Sequence, residues 1–347
     1  MRFIGNKENL VEKIYQKMIE RNISGNSFFD FFAGTTNVGR FFKKKNFQVF
    51  SSDLLYFSYV LQKAYIANNQ ELNFEELLKG IDFKTQSLFS TPLQKIVDFL
   101  NQIPDKQGFI YENYTPAGNR MYYSEENGLR IDAIRLQIED WKNTDLITEN
   151  EYFVLLACLI ETVPFYANVA GIYAAFQKKW DPRAVKKLIL RPIEFVVNDK
   201  ENFVCNVDSV SLINTVETDI FYLDPPYNQR QYAPNYHLME TIAKYDNPEI
   251  KGITGLRANY ENEKSKFCNA TTALQELKKV AEKGKYKTLI LSYNNEGIMP
   301  ETEILLLFGK IGTVELVEFD YLRFKSNNNG ESKNKKHIKE QLYILRK

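Results

Sequence analysis

The chain has 347 residues, which is more than one compact core usually needs, so we expect one large domain with an insertion or two domains. Its 44% hydrophobic and 26% charged residues exclude a disordered chain, and no run approaches the roughly 18 apolar residues of a membrane span. The net charge of +1 does not indicate a polyanionic partner, and three widely spaced cysteines without histidine clusters suggest neither a disulfide framework nor a metal site.

The first 70 residues alternate between strand and helix patterns. "SFFDFFAG" (27–34) is an aromatic run ending in glycine, which predicts a buried strand and a turn, and "TTNVGRFFKKKN" (35–46) predicts a helix. "FQVFSSD" (47–53) predicts the next strand, and "LLYFSYVLQKAYIANN" (54–69) predicts a helix with an apolar stripe. Such alternation is typical of a parallel α/β sheet.

The alternation stops at about residue 71 and resumes near residue 200. Apolar residues at helical spacing in 125–176 predict a mainly helical segment. Apolar runs beyond it predict five further strands, at 202–208, 219–227, 286–297, 313–324 and 340–347. We therefore predict a doubly wound, mostly parallel sheet, with residues 1–70 and 200–347 forming one α/β domain and residues 71–199 forming a mainly helical insertion.

Three of the predicted strands end in acids, namely Asp30, Asp53 and Asp224. Ligands of open parallel sheets bind beyond the carboxyl ends of the strands, so these acids should face a ligand. Gly34 lets a ligand approach the backbone, and an acid about twenty residues after such a turn commonly binds ribose hydroxyls. The turn lacks the glycine cluster that holds phosphates, which favours a nucleoside ligand such as S-adenosylmethionine over a dinucleotide.

The stretch "DPPY" (224–227) is the end of the segment 219–227, in which a strand is predicted. Proline has no N–H and a fixed φ, so the pair cannot lie inside a central strand or a helix and forms a rigid turn. A planar substrate with an exocyclic NH2 group fits this turn. The Asp224 carboxylate and the Pro225 carbonyl could each accept one amino hydrogen, while Tyr227 stacks on the ring. We predict that Asp224, Pro225, Pro226 and Tyr227 carry the chemistry; the alternative is a merely structural proline loop.

With these motifs the sequence resembles the adenine-N6 DNA methyltransferases of bacterial restriction–modification systems, in the subgroup whose cofactor motifs precede the catalytic one. "DPPY" corresponds to the catalytic motif of that family. The resemblance implies that residues 1–70 and 200–347 form a catalytic domain of the S-adenosylmethionine-dependent methyltransferase type. It also implies that residues 71–199 form the candidate target-recognition region.

The resemblance assigns cofactor contacts residue by residue. "RFIGNKENL" (2–10) is similar to a motif in which an aromatic residue and a lysine contact the cofactor, and "DFFAGTTNVG" (30–39) is similar to the first cofactor loop. The loop carries threonines where the family commonly has a further small residue or glycine. The expected S-adenosylmethionine contacts are Phe3, Lys7, Asp30, Ala33, Gly34, Asp53 for the ribose, and Asp208 near the adenine.

Two basic stretches could contact phosphates. Residues 178–191 hold six Lys or Arg and one Asp, and residues 322–347 hold eight Lys or Arg and two Glu. The alternative for both is a solvated basic loop or helix face. The expected nucleic-acid contacts are Arg230 and Tyr232, just after the motif, and Lys333, Lys335 and Lys336.

The resemblance implies methylation of adenine N6 in a specific sequence of double-stranded DNA, after the base is flipped out of the helix. A cognate restriction endonuclease would act separately, and no metal is required. Cytosine-N4 methylation of DNA, adenine-N6 methylation of RNA, and non-catalytic nucleic-acid binding on the same fold remain alternatives. The first residues, "MRFIGNKENL", lack the apolar core of a signal peptide, so we expect a cytoplasmic protein.

Overall fold

The structure is a computed structural model that describes residues 5–80, 90–322 and 337–347. In these ranges it has nine strands: β1 Ser27–Asp30, β2 Gln48–Ser52, β3 Phe203–Cys205, β4 Glu217–Leu223, β5 Ile250–Lys251, β6 Leu256–Arg257, β7 Lys285–Asn294, β8 Thr313–Leu322 and β9 His337–Arg346. Each strand predicted from the sequence has a counterpart here, although β3 is shorter and β9 begins earlier than the sequence indicates.

The same ranges hold twelve α-helices: α1 Val11–Glu20, α2 Asn37–Lys44, α3 Tyr56–Gln62, α4 Glu75–Gly80, α5 Pro92–Leu100, α6 Phe109–Tyr114, α7 Glu125–Asn143, α8 Glu149–Thr162, α9 Tyr232–Asn235, α10 His237–Lys244, α11 Ala270–Lys283 and α12 Glu301–Gly309. The helix predicted at 54–69 is α3 followed by a π-helical segment, Lys63–Ala67. None of the helices in the described ranges is long and apolar enough to cross a membrane.

Seven strands form one sheet in the order β3-β2-β1-β4-β7-β9-β8. The neighbours from β3 to β7 pair in parallel, whereas β9 lies between β7 and β8 and is antiparallel to both. The chain therefore reverses only on entering β9, and the first residues of that strand lie at the edge where β4 and β7 end. This arrangement confirms the predicted doubly wound, mostly parallel sheet with helices and a helical insertion.

The central strands are apolar on both faces because helices cover both sides of the sheet. In β1 the ring of Phe28 stacks on Phe42 of α2, with ring centroids 3.7 Å apart. The next residue, Phe29, points to the opposite face, where it packs against Phe221 and the core formed by α11 and α12. Successive side chains of a strand alternate between faces, so adjacent phenylalanines are what a doubly covered strand requires.

The chain divides into two compact units. The sheet unit comprises residues 5–62, 196–232 and the described part of 263–347, and it contains the seven-stranded sheet. The helical unit comprises the described part of 63–195 together with 233–262, and it contains α4 to α8, α10 and the β5–β6 hairpin. Whether residues 71–199 recognise a target stays a prediction.

Buried charged side chains in the helical unit satisfy backbone groups at helix ends. Asp132 of α7 is fully buried and accepts the N–H groups of Ile110 and Tyr111 in the first turn of α6, at 3.0 and 2.8 Å. Arg135, one turn further along α7, donates to the carbonyls of Ile242 and Ala243 at the end of α10. A helix leaves its first N–H and last C=O groups unpaired, so these two charges complete helices that are distant in sequence.

Replacing Phe28 by Ala should lower the free energy of unfolding by about 3–5 kcal/mol, because it removes a fully buried ring that stacks on Phe42. Leu306→Ala, on the exposed face of α12 in the same unit, is the control and should change stability little. Urea denaturation followed by circular dichroism measures both. Equal destabilisation by the two variants would contradict the proposed packing.

Candidate active site

An open cleft lies at the edge of the sheet unit where β1, β2 and β4 end. Its walls are the loop after β1, the residues after β2, the turn after β4 and the segment that precedes α1. The space between these walls is about 960 Å³, including the open mouth. Ligands of open parallel sheets bind at this edge, so the cleft occupies the expected position for a binding site.

The loop after β1 is held against the end of β2 by a carboxylate. Gly34 has φ +50°, a left-handed conformation that glycine adopts without the steric cost of a Cβ atom. Its N–H donates to Asp53 Oδ2 at 2.8 Å, and the other oxygen of Asp53 accepts the N–H of Leu55 at 2.9 Å. Asp53 therefore fixes the shape of the loop as well as lining the cleft.

The same loop carries a threonine in a conformation that favours glycine. Thr36 is fully buried and has φ +62°, which is unusual for a β-branched residue and costs on the order of 1–3 kcal/mol. Its N–H donates to the carbonyl of Ala33 at 2.6 Å, which keeps the turn closed. This is the place where the sequence departs from the family's usual small residues, and the loop turns there nevertheless.

Two further predicted acids lie near this loop in different environments. Asp30, the last residue of β1, is buried beneath the loop and accepts the N–H of Gly39 in α2 at 3.1 Å, but it does not line the cleft. Asp208 does line the cleft, and its side chain accepts the N–H of Val210, so it caps the short helix Ser209–Leu212. Asp208 is thus part of the cleft wall, whereas Asp30 is buried behind the loop.

The turn after β4 brings three polar groups together. The hydroxyl of Tyr227 donates to Asp224 Oδ1 at 2.6 Å, and the Lys7 ammonium lies 3.4 Å from that oxygen. Lys7 also donates to the Tyr227 hydroxyl, which closes a ring of three side chains. Pro225 and Pro226 are buried, so packing of the two prolines holds the turn that carries Asp224.

A fourth member of this group was missed by sequence reasoning. Glu340 of β9 is buried and accepts from the Lys7 ammonium at 2.5 Å and from the hydroxyl of Ser292 in β7 at 2.6 Å. The local signal was weak, since an acid at the head of an apolar run is common at the start of a strand. Only the antiparallel direction of β9 brings this acid to the cleft edge of the sheet.

Burial and neighbouring charges shift the ionisation of this group. Burial is the main cause that raises the pKa of Asp224 to about 6; Lys7 lowers it and Glu340 raises it. Burial and then Asp224 raise the pKa of Asp30 to about 7. Burial alone would lower the pKa of Lys7, but Asp224 and Glu340 raise it, so the ammonium stays charged. Asp224 is therefore mainly an ionised carboxylate at neutral pH, and it becomes protonated as the pH falls through about 6.

Most of the predicted site residues converge on the cleft. Those that line it are Lys7, Ala33, Gly34, Asp53, Asp208, Asp224, Pro225, Pro226, Tyr227 and Tyr232. Asp30 is buried beneath the loop, and Arg230 is exposed and does not line the cleft. Phe3, Lys333, Lys335 and Lys336 lie outside the described residues. No described part of the chain gathers three or more His, Cys, Asp or Glu side chains in a way that could hold a metal ion.

The charge of the cleft is strongly one-sided. Among the described residues that line it, the acids are Asp53, Asp208, Asp224 and Glu263, and Lys7 is the one basic side chain. Lys7 is itself paired with Asp224 and with Glu340. A cleft of this composition favours a cationic ligand and repels polyphosphates.

Comparison with known proteins gives one family and several close relatives. The model of the family described as D12 class N6 adenine-specific DNA methyltransferase matches residues 3–304. The whole chain is 42% identical to the Type II methyltransferase M.FokI of Planomicrobium okeanokoites and 39% identical to the modification methylase StsI of Streptococcus sanguinis, and it covers 53% and 52% of those proteins. It is 38% identical to the Type II methyltransferase M.NlaIII of Neisseria lactamica and covers 99% of it. The chain thus spans about half the length of the first two relatives and nearly all of the third.

The raised pKa of Asp30 should make stability depend on pH. A carboxyl group whose pKa is higher in the folded chain than its ordinary value of 3.8 stabilises the fold fully below that value, and the stabilisation is lost as pH rises to about 7. Asp30→Asn keeps an oxygen for the N–H of Gly39 and removes the charge, so it should flatten the decrease in free energy of unfolding between pH 4 and 7.

Denaturant titrations at several pH values measure this dependence. Asp199→Asn, which removes an exposed acid of the same unit, is the control and should leave the decrease unchanged between pH 5 and 7. If Asp30→Asn had the same pH dependence as the wild type in that interval, the assigned ionisation of Asp30 would be wrong.

Proposed function

Because the chain belongs to the D12 class of N6 adenine-specific DNA methyltransferases, we propose that it transfers a methyl group from S-adenosylmethionine to N6 of adenine within a specific sequence of double-stranded DNA. Membership confirms the family expected from the motifs of the sequence. The relatives are named Type II methyltransferases and modification methylases. We also propose that this protein is the modifying component of a restriction–modification system, with an endonuclease that acts separately.

The observation that carries the proposal is the rigid turn after β4. Asp224 is fixed by Tyr227 and Lys7, at the end of a largely buried strand and next to two buried prolines. A carboxylate held in this way is an acceptor whose position in the cleft is already set when an amino group arrives, although the Tyr227 hydroxyl must leave it. Preorganised acceptors and donors of this kind are the largest contribution to many enzymatic rates.

The proposed chemistry uses Asp224 and its neighbour as acceptors. The Asp224 carboxylate and the Pro225 carbonyl would each accept one hydrogen of the exocyclic amino group, which leaves the nitrogen lone pair directed toward the methyl donor. As the new C–N bond forms, the bond between the methyl carbon and the donor sulfur would break and leave that sulfur as a neutral thioether. The nitrogen would lose one proton, and Asp224 is the group placed to take it. Tyr227 lies beside the same space and would contact the base once its hydroxyl is released from Asp224.

The residues of the cleft fit S-adenosylmethionine as the methyl donor. When bound, this cofactor supplies an electrophilic methyl group on a positively charged sulfur. Ala33 and Gly34 would lie against its methionine end, Asp53 would bind the ribose hydroxyls, and Asp208 would lie near its adenine. Gly34 lines the cleft and has no side chain, so its backbone is open to a ligand there.

The charge of the cleft supports the same cofactor. S-adenosylmethionine carries a sulfonium and an ammonium group, and the described walls of the cleft hold four acids against one paired lysine. A dinucleotide would bring two phosphates into that field and would be repelled. This agrees with the absence of a phosphate-binding glycine cluster in the loop after β1.

Access to a paired adenine requires that the base leave the duplex, at a cost of a few kcal/mol. Basic side chains of the helical unit would hold the opened duplex by its phosphates. Four exposed lysines lie there, and Asp181 is the one acid in the sequence between them: Lys178, Lys179, Lys186 and Lys187. Target recognition by residues 71–199 and by the segment 228–270 belongs to the same proposal.

The direct test is transfer of tritium from labelled S-adenosylmethionine to mixed-sequence duplex DNA, followed by digestion to nucleosides and chromatography. Label in N6-methyladenine supports the proposal. Label in N4-methylcytosine keeps the mechanism and changes the base. Label only in RNA, or in no nucleic acid at all, overturns the proposal.

Asp224→Ala should lower the rate of transfer by roughly a hundredfold to ten-thousandfold, because it removes the acceptor at the reacting nitrogen. The dissociation constant for DNA should change by less than about threefold, since the side chain contacts no phosphate in this scheme. Single-turnover transfer and electrophoretic mobility shift measure the two.

In the wild type, kcat should fall as pH decreases through about 6, where Asp224 becomes protonated. A rate that is independent of pH between 5 and 8 would exclude Asp224 as the acceptor.

Asp53→Ala should weaken binding of S-adenosylmethionine at least about tenfold, because the variant loses both the ribose acceptor and the group that holds the N–H of Gly34. Asp199→Ala is the control, an exposed acid of the same unit. Isothermal titration calorimetry with the cofactor measures the effect on both. An unchanged dissociation constant for Asp53→Ala would refute the role of this acid.

A further inference from the structure

Glu340 is an acid in the interior of the sheet unit that has no role in the chemistry described above. The residue is 1% exposed, and it is paired in register with Asn294, the last residue of β7. Because β9 runs against β7, a residue near the start of β9 lies at the edge where β4 and β7 end. Glu340 does not line the cleft itself but contacts Lys7, which does, from a position about 115 residues away in sequence from Asp224.

The contacts of Glu340 are made to Lys7 and to a hydroxyl that fixes it. Ser292 donates to Oε1 at 2.6 Å, and the Lys7 ammonium donates to the same oxygen at 2.5 Å. An ammonium group has three N–H donors, and the structure offers Lys7 three oxygens, on Glu340, on Tyr227 and on Asp224. The separation from Asp224 is the longest of them, 3.4 Å.

This distribution decides which acid neutralises the lysine. With the ammonium closer to Glu340 than to Asp224, the two form a nearly neutral pair, and the group of three charges keeps one negative charge on the cleft side. Without the charge of Glu340, the ammonium would have Asp224 as its one ionised partner in the ring. The lysine would then occupy an oxygen of Asp224 that, in the proposed function, accepts hydrogen from the substrate.

We propose that Glu340 is a positioning residue for methyl transfer, which takes up the charge of Lys7 and so leaves the Asp224 carboxylate available to the substrate's amino group. The inference rests on the proposed function. The groups that face Asp224 are Lys7 from the segment before α1, Tyr227 from its own turn, Glu340 from β9, and the buried acid Asp30 at the end of β1.

The test is Glu340→Gln, which keeps the shape of the side chain and an oxygen for Lys7 and Ser292 while removing the charge. Plateau kcat for labelled methyl transfer should fall roughly tenfold to a hundredfold with KM for DNA and cofactor within about threefold of the wild type, since ground-state contacts to both ligands remain. The acid limb of the kcat profile is the fall in kcat as pH decreases through about 6. It should move to lower pH in this variant, because Glu340 raises the pKa of Asp224.

A matched control and an opposing variant separate positioning from folding. Glu318→Gln removes an exposed carboxylate from β8, where it pairs with Lys339 at 2.9 Å outside the cleft, and should leave kcat and the acid limb unchanged. Lys7→Gln should move the acid limb to higher pH, because Lys7 lowers the pKa of Asp224. Opposite movement of the acid limb in the two cleft variants is an effect that loss of stability alone does not produce.

The outcomes are distinct. No transfer by the wild type refutes the proposed function and this inference with it. Transfer by the wild type, with Glu340→Gln equal to it in kcat and in acid limb, refutes the inference alone. If Glu340→Gln does not fold, Ser292→Ala decides the question, since it removes only the hydroxyl that fixes Glu340: a lowered plateau kcat at unchanged KM supports positioning, and a wild-type kcat overturns it.

Discussion

The buried ammonium of Lys7 is the interaction on which the geometry of the cleft depends. A charge taken out of water must be paired and hydrogen-bonded, and Lys7 meets this requirement with oxygens from the turn after β4 and from β9. These contacts tie together the segment before α1, the carboxyl end of a central strand and the start of the last strand. Loss of one partner would leave the others with an unbalanced charge, so the group acts as a unit.

The part of the site that could be predicted from sequence is the part encoded locally. Two adjacent prolines after an apolar run can only end a strand, and this alone is enough to place Asp224 at the edge of the sheet. In the same way a glycine after "DFFA" indicates the left-handed turn at Gly34. The alternation of strand and helix patterns in the first 70 residues is how the parallel, doubly wound class could be inferred. The adjacent phenylalanines of β1, which pack on opposite faces of the sheet, agree with it.

What could not be predicted depends on contacts between distant segments. The sequence "EQLYILRK" indicates a strand but contains nothing that specifies its neighbours or its direction, and Glu340 reaches Lys7 only because β9 is antiparallel between β7 and β8. Likewise residues 233–262, which follow the "DPPY" turn directly, belong to the helical unit rather than to the sheet unit. Side chains such as Arg135 of α7 connect this segment to the helical unit, since Arg135 donates to the carbonyl of Ile242 in α10, 107 residues away in sequence.

In the proposed function a chain with a net charge of only +1 binds both a cationic cofactor and a polyanion, and the distribution of its charge is compatible with both. The described walls of the cleft are acidic, whereas exposed lysines of the helical unit lie in the basic stretch 178–191. A uniformly basic protein would bind DNA more strongly but would weaken the field that attracts a sulfonium ion. A similar balance of charge holds around the turn after β4. Lys7 stabilises this turn without neutralising Asp224, because the second buried acid, Glu340, also pairs with the Lys7 ammonium. Around this turn, buried carboxylates outnumber buried cations. In the proposed function, this excess supplies both the negative charge that attracts a cationic methyl donor and the carboxylate that accepts from the amino group.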